Sequence, residues 1–391
     1  MHPKLMMMGL AVGLWCYSGF FVAGQDEFKS TVDFKGSRLA VGYLDSGSQG
    51  NYPNGSYQTP EAKLRLNWLM APDIKVVLRM NLNNATFKEI DYLYIDYTNL
   101  LAMISPNLKE SFFNPMFRLG RFKLDIGEET WGNNAVEATT INPSATNTGS
   151  YDEGLQVSQI LPKEKLGLPL KWSLSFSNGN AGTGADNQTN KSFCTKIGVN
   201  PVNELYISGS YYHSGELLTQ NAEMTYAGLA TPPTGATKWN RTITELDIRY
   251  DIQPGKENRL EPAAPAWSDS KAFFRFAYGR FNDEGKDDVA PLVQVTDRKG
   301  AYYFLEATYN LDKKIYLVGR YSVVSFNKST TFASLNGVNA NQYTRTSVGF
   351  GYRLSNQTHF KVDYTTNTED VSAGVTEPEN NQISALITTK F

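Results

Sequence analysis

Stretch after stretch of this chain alternates apolar and polar side chains for about ten residues, the two-residue period of a strand whose faces meet different surroundings. Ala62, Leu64, Leu66 and Trp68 interleave with Glu61, Lys63, Arg65 and Asn67. After Ala71-Pro72-Asp73, Val76, Leu78, Met80 and Leu82 interleave with Lys75, Arg79, Asn81 and Asn83. That is a hairpin with one apolar face and one charged face. Sixteen such segments can be traced, and no helical pattern is available to cover them. They fall at 28–44, 61–70, 74–83, 88–97, 115–124, 153–161, 168–177, 191–200, 204–213, 241–251, 271–281, 300–311, 314–325, 343–354, 357–366 and 381–391. Closure into a ring removes the sheet edges and pairs every backbone group, which a strand in lipid requires. The pattern predicts an all-β fold, a transmembrane antiparallel β-barrel of 16 strands over residues 25–391.

The connections alternate in length. Short turns at 71–73, 200–203, 312–313 and 355–356 oppose long polar loops at 45–60, 125–152, 178–190, 214–240, 282–299, 326–342 and 367–380. Short turns on the periplasmic side and long loops outside are how outer-membrane barrels are built. Residues 98–114 and 252–270 break the rule, being long where short turns are expected. Composition agrees once read this way. A hydrophobic share of 41% and a mean hydropathy of −0.39 suggest a soluble protein, but a barrel strand hides one apolar residue for each polar one. Tyr (22) and Phe (21) supply strands and interfacial girdles. A net charge of −2 gives no global basic surface for nucleic acid.

Met1 to Gly24 predicts a cleaved signal peptide (residues 1–24). Lys4 precedes an apolar run to Val22, and Val22-Ala23-Gly24 offers small residues for cleavage. An uncleaved anchor or a lipoprotein through Cys16 are the alternatives, the latter a poor fit because Trp15 precedes the cysteine. With Cys194 alone in the mature chain there is no disulfide, and His213 with His359 make no multi-histidine metal site. No metal and no cofactor are expected. At the end of the last segment Ile383, Ala385, Ile387, Thr389 and Phe391 share one face, and the terminal Phe391 resembles the assembly signal read by the barrel-assembly machinery.

Placing the apolar phase on lipid puts twelve bases on the lumen side: Lys63, Arg65, Lys75, Arg79, Lys171, Lys196, Arg249, Arg275, Arg320, Arg345, Arg353 and Lys361. Seven acids share it: Glu61, Glu89, Asp91, Glu245, Asp247, Glu306 and Asp363. A charge on lipid near the midplane costs ~2–4 kcal/mol, so these groups must face water or one another. The densest basic patch is Lys63, Arg65, Lys75 and Arg79. Segment 125–152 is the candidate constriction loop, with acidic Glu128, Glu129 and Glu137 and no Lys or Arg. Folded inward, Glu128 and Glu129 would face that patch and create a transverse field.

Phe117-Arg118-Leu119-Gly120-Arg121-Phe122-Lys123, Asp152 to Ser158, Phe176 to Asn180 and Asn187 to Lys191 resemble segments of the phosphate-selective porin O and P family. The resemblance implies 16 strands, a homotrimer and an inward third loop. Phosphate specificity does not follow, because the matching loop is acidic and Tyr151 stands where that family has Arg. The expected function is a porin of the bacterial outer membrane, passing small anionic or neutral solutes passively with a mild anion preference. Its partners would be outer-membrane lipid and lipopolysaccharide. Alternatives are a sheath for a multihaem electron conduit, a phosphate- or oxyanion-specific channel, or a plugged receptor or adhesin. A barrel enzyme would need an acid–His or Ser–His constellation, for which only His213 near a rim is available. Residues 282–288 cluster carboxylates but lack the spacing of a calcium loop.

Overall fold

The computed structural model describes residues 28–83, 90–146, 148–149, 151–179, 190–218, 225–226, 233, 235–255, 260–261, 264–287, 297–326, 332–333, 339–371 and 374–391. The expected leader and Glu89 lie outside these residues. Sixteen strands follow in order: β1 (Arg38–Ser46), β2 (Ser56–Ala71), β3 (Ile74–Asn81), β4 (Ile90–Tyr97), β5 (Met116–Lys123), β6 (Tyr151–Leu161), β7 (Leu170–Ser177) and β8 (Ser192–Val202). Then come β9 (Leu205–His213), β10 (Lys238–Ile252), β11 (Ala272–Lys286), β12 (Arg298–Asn310), β13 (Ile315–Phe326), β14 (Asn339–Arg353), β15 (Thr358–Val371) and β16 (Gln382–Lys390). Each pairs antiparallel with its sequence neighbours, and β16 returns to β1 from Arg38↔Lys390 to Ser46↔Gln382. The ring is closed, as the alternating pattern requires.

Burial alternates with the same period. Along β10, Arg241, Ile243, Glu245, Asp247 and Arg249 are buried while Leu246, Tyr250 and Ile252 are exposed. Leu305, Leu317, Val348, Phe350, Ile383 and Ile387 continue that exposed apolar belt around the outside. In water each Å² of it would cost about 25 cal/mol, so a belt of this extent calls for an apolar medium.

Several strands outrun the sequence expectation. β2 starts at Ser56, β11 reaches Lys286 and β15 reaches Val371, all inside expected loops. Above the apolar belt both faces are polar, so the alternation fades while backbone pairing continues, as Thr242↔Asn282 and Asn282↔Lys299 show. The expected strand 28–44 is divided. Thr31–Asp33 pairs with Asn67–Leu69 of β2, and Gly36, in the left-handed region at φ 93°, turns the chain into β1. Both irregular connections are real and the strands around them are correctly placed. Residues 98–115 carry α1 (Leu100–Ile104) and a 3-10 turn (Pro106–Glu110), with Phe113 stacked on the outward Trp172 at 5.8 Å. Of the second connection, residues 264–270 turn into the barrel. In the tight turn between β12 and β13, Asp312 accepts from the N–H groups of Lys314 (2.6 Å) and Ile315 (2.8 Å), which holds its carboxyl below the usual range.

Candidate functional site

The interior is organised by the segment that follows β5. Gly127 has φ 61° and lies where a Cβ would meet the Glu245 carboxylate, so only glycine makes this turn. From there the chain crosses the lumen. Asp125 is held by Lys171 (3.1 Å), Lys196 (3.4 Å) and Ser173 (3.1 Å), and Gly127 donates its N–H to Ser210 (3.0 Å). Farther on, Lys361 donates to the carbonyls of Ala135 (2.8 Å), Val136 (2.9 Å) and Ala138 (2.7 Å). Asp363 accepts from the Ile141 N–H (2.5 Å), Arg320 donates to the Asn142 carbonyl (3.2 Å) and Arg345 to that of Pro143 (2.8 Å). Ala145 donates to Ser322 (2.9 Å). A segment that touches inward residues of β7 to β10 and β13 to β15 can only lie inside the ring. Its apolar residues are used as a core: Leu124, Ile126 and Ala145 pack with Cys194, Tyr212, Ile243 and Val324, while Ala135, Val136 and Ile141 pack on Ala40, Leu44 and Leu386.

A second segment enters from the end that carries the short turns. Ser268 lies beneath Arg249 (3.1 Å), Arg353 donates to the carbonyls of Ala266 (3.2 Å) and Ser268 (3.1 Å), and Asn310 donates to that of Ser270 (2.5 Å). Trp267 sits against the His359 ring at 3.7 Å with Lys390 over its face at 4.2 Å. The two segments meet where Ala266 donates its N–H to the Glu137 carbonyl (3.0 Å).

The hydrogen bonds described above stop short of the inner wall of β2 to β4, which the loop meets through the packing of Leu124 and Ile126 with Val77, Tyr92 and Tyr94. There Lys63 (2.9 Å) and Arg79 (2.9 Å) share Asp91, a residue that a register shift opposite Arg79 and Met80 turns inward beside Tyr92. Arg79 lies over Tyr92 (4.3 Å) and also bonds the Tyr151 hydroxyl; Arg118 lies over Tyr94 (3.9 Å) and pairs with Asp96 (2.7 Å). Arg65 stands directly opposite Arg79 and bonds only the Asn67 side-chain oxygen (2.9 Å). Among the described residues, Arg65 and Lys75 have no carboxylate within ion-pair distance, and both are half-buried.

The other bases are committed. Lys171 and Lys196 pair with Asp125, Arg249 with Asp251 (2.9 Å), Arg275 with Glu306 (3.3 Å) and Arg320 with Glu306 (2.6 Å). Arg345, Arg353 and Lys361 are bound by the carbonyls of the interior segments. Glu128 and Glu129 do not face Lys63, Arg65, Lys75 and Arg79 as expected. Glu128 pairs with Lys196 (2.6 Å) and accepts from Tyr206 (2.6 Å); Glu129 accepts from Ser144 (3.0 Å) and lies 3.5 Å from Arg320. Both carboxylates dock the segment onto the far wall, because that wall carries the bases it can neutralise. Glu137 pairs with Arg38 and Asn134. Phe391 is exposed, with its main chain bonded to Gly36 and Ser37.

Arg38, the tyrosines at 92 and 94, and Trp267 are not singled out by the sequence. Arg38 was hidden in a segment read as one strand from 28 to 44, and Trp267 in a connection. A usable signal existed for the interior segment: Ala135, Val136, Ala138, Ile141 and Ala145 are too apolar for a solvated loop. His213 hydrogen-bonds Thr242 (3.1 Å) and faces outward, away from any carboxylate cluster of the interior. Among the described residues no group of three or more His, Cys, Asp or Glu is arranged to hold a metal ion.

No protein-family model matches the sequence, and no curated protein does. Solved structures do. The chain is similar to the outer membrane channel DcaP of Acinetobacter baumannii (TM-score 0.60, 12% identity, covering 95% of this chain and 100% of that one). It is similar to OmpT, an outer membrane protein of Vibrio cholerae (TM-score 0.57, 12% identity, 95% and 100%). A third is the anion-selective porin from Comamonas acidovorans (TM-score 0.51, 11% identity, 93% and 100%). At these identities the likeness is one of fold, and it does not single out the phosphate-selective porin O and P family. The chain has the 16-stranded barrel fold of the porins.

Proposed function

We propose that this protein is an outer-membrane channel that passes small hydrophilic solutes by diffusion, with a preference for anions. The observation that carries the reading is the contrast on the inner wall. Arg65 and Lys75 face the lumen with no carboxylate at ion-pair distance among the described residues, while the remaining lumen bases are consumed by acids or by interior carbonyls. Two cations in a narrow, partly desolvated passage raise local anion concentration far more than surface charges do. The interior segment from 124 to 146 narrows the passage and acts as the constriction, with Glu137 on Arg38 at its edge.

The fold of the porins and the outward apolar belt support placement in the outer membrane, with lipid and lipopolysaccharide as surroundings. A homotrimer belongs to the same reading and is tested by mass determination in detergent. Two interior segments crossing the lumen argue against a cytochrome sheath, which needs that space for its partner. Among the described residues the wall carries no ladder of unpaired arginines, which argues against a phosphate-specific channel.

Reconstituted in planar bilayers, the protein should give ohmic single-channel steps, and a KCl gradient should give a reversal potential on the anion-selective side. Arg65→Ser with Lys75→Ser should move that potential toward zero or past it. Absence of conductance from a folded barrel would overturn the channel, and an unmoved potential would overturn the role of these two bases.

A further inference from the structure

We infer that residues 264–271 form a plug that seals the β10 to β16 side of the lumen from the end opposite to the interior loop, and that Trp267 positions it. The inference rests on the channel reading for its functional meaning, but its geometry stands by itself.

The plug is built as a core. Pro265 and Ala266 are buried, Ser268 and Ser270 are at most 1% exposed, and Ala266 and Trp267 pack on Tyr316 and Val318 of β13. A loop that only capped the mouth would leave these small polar residues wet. Three of its backbone carbonyls find donors on the wall: Arg353 takes those of Ala266 and Ser268, and Asn310 takes that of Ser270. Buried carbonyls left without donors would cost about 1–3 kcal/mol each, so these side chains fix the docked position. The Ala266–Glu137 hydrogen bond then joins the plug to the loop that descends from the other end. Together they fill the ring between β10 and β16, while Leu124 and Ile126 of the loop also pack with the inward Val77, Tyr92 and Tyr94 of β3 and β4.

Trp267 is the element that holds this by shape rather than by polar contact. Its indole lies against His359, and neither ring nitrogen of that histidine nor the indole Nε1 has a hydrogen-bond partner among the described residues. The stack is thus a packing contact under the Lys390 ammonium, and it fails if the ring is removed.

Thiol labelling reads the plug without needing current. In folded protein with Cys194 buried, Lys75→Cys should react with a charged methanethiosulfonate, and Val318→Cys should not. Adding Trp267→Ala to Val318→Cys should make it reactive; Trp267→Phe should keep it protected. In bilayers Trp267→Ala should raise conductance and lose part of the anion preference, because the paired Arg275 and Glu306 side would join the path. Equal labelling of Val318→Cys and Lys75→Cys, or protection that survives Trp267→Ala, would overturn the plug. A wild-type barrel that shows this labelling pattern yet conducts nothing would overturn the channel reading and leave the plug in place.

Discussion

The same residue type does opposite work on the two sides of this interior, and the difference is set by partners. Lys361 is 1% exposed, with its three donors on three carbonyls of one loop. Lys75 has no such partner among the described residues and stays half-buried. Replacing each by Met separates the roles. Lys361→Met strands three buried carbonyls, so the expected loss is about 3 kcal/mol, within the range for breaking a buried polar network. Lys75→Met removes a partly solvated charge and should change stability by less than about 0.5 kcal/mol while lowering anion preference. Denaturant midpoints and reversal potentials on the two variants check both halves; equal stability losses would sink the distinction. The phase of the twelve bases along their strands is legible in the sequence, because phase is a property of one strand. Which of them stay unpaired is not, since Arg320 is neutralised by Glu306 on another strand and by Glu129 from a loop.

At the scale of elements, periodicity made the strands legible wherever apolar and polar surroundings differ across the sheet, which is the height of the lipid belt. It failed above that height, where β10, β11 and β15 continue with polar side chains on both faces. It also failed for the two interior segments, whose order depends on groups from β1 to β16 rather than on their own repeat. Their contributions differ in kind. The segment from 128 to 143 lies inside the ring, held by side-chain contacts and by the packing of Ala135, Val136 and Ile141 rather than by strand pairing, so its replacement by a short Gly/Ser linker leaves the ladder of the ring untouched. Such a variant should keep its heat-modifiable migration and conduct more, with a larger size limit for sugars in liposome swelling. Its inward bases, freed from Glu128, Glu129 and the loop carbonyls, should strengthen the anion preference at low salt. At 1 M salt the Debye length is about 3 Å against about 10 Å at 0.1 M, and the preference should shrink accordingly. Unchanged conductance after excision would show that the segment does not narrow the path.

For the whole molecule, stability rests on closure. The ring meets itself through the β1–β16 ladder, from Arg38↔Lys390 to Ser46↔Gln382, and without it two strand edges would lie unpaired in an apolar medium. Phe391 lies just beyond that ladder. Its main chain accepts from Gly36 (2.5 Å) and donates to Ser37 (2.9 Å), but its ring is 58% exposed and supports no packing that an alanine would lose. If the terminal aromatic serves assembly, its substitution should separate two quantities that normally move together. Phe391→Ala should lower the amount of barrel reaching the membrane, while the molecules that do fold should melt within about 0.5 kcal/mol of the wild type, as for other exposed positions. Removal of residues 382–391 should instead abolish the heat-modifiable form altogether, because it deletes one side of the closing ladder. A Phe391→Ala protein with normal membrane yield would assign that ring to the lipid interface alone. One with normal yield and a lowered melting point would require a contact the ring makes only in the membrane or between copies of the chain.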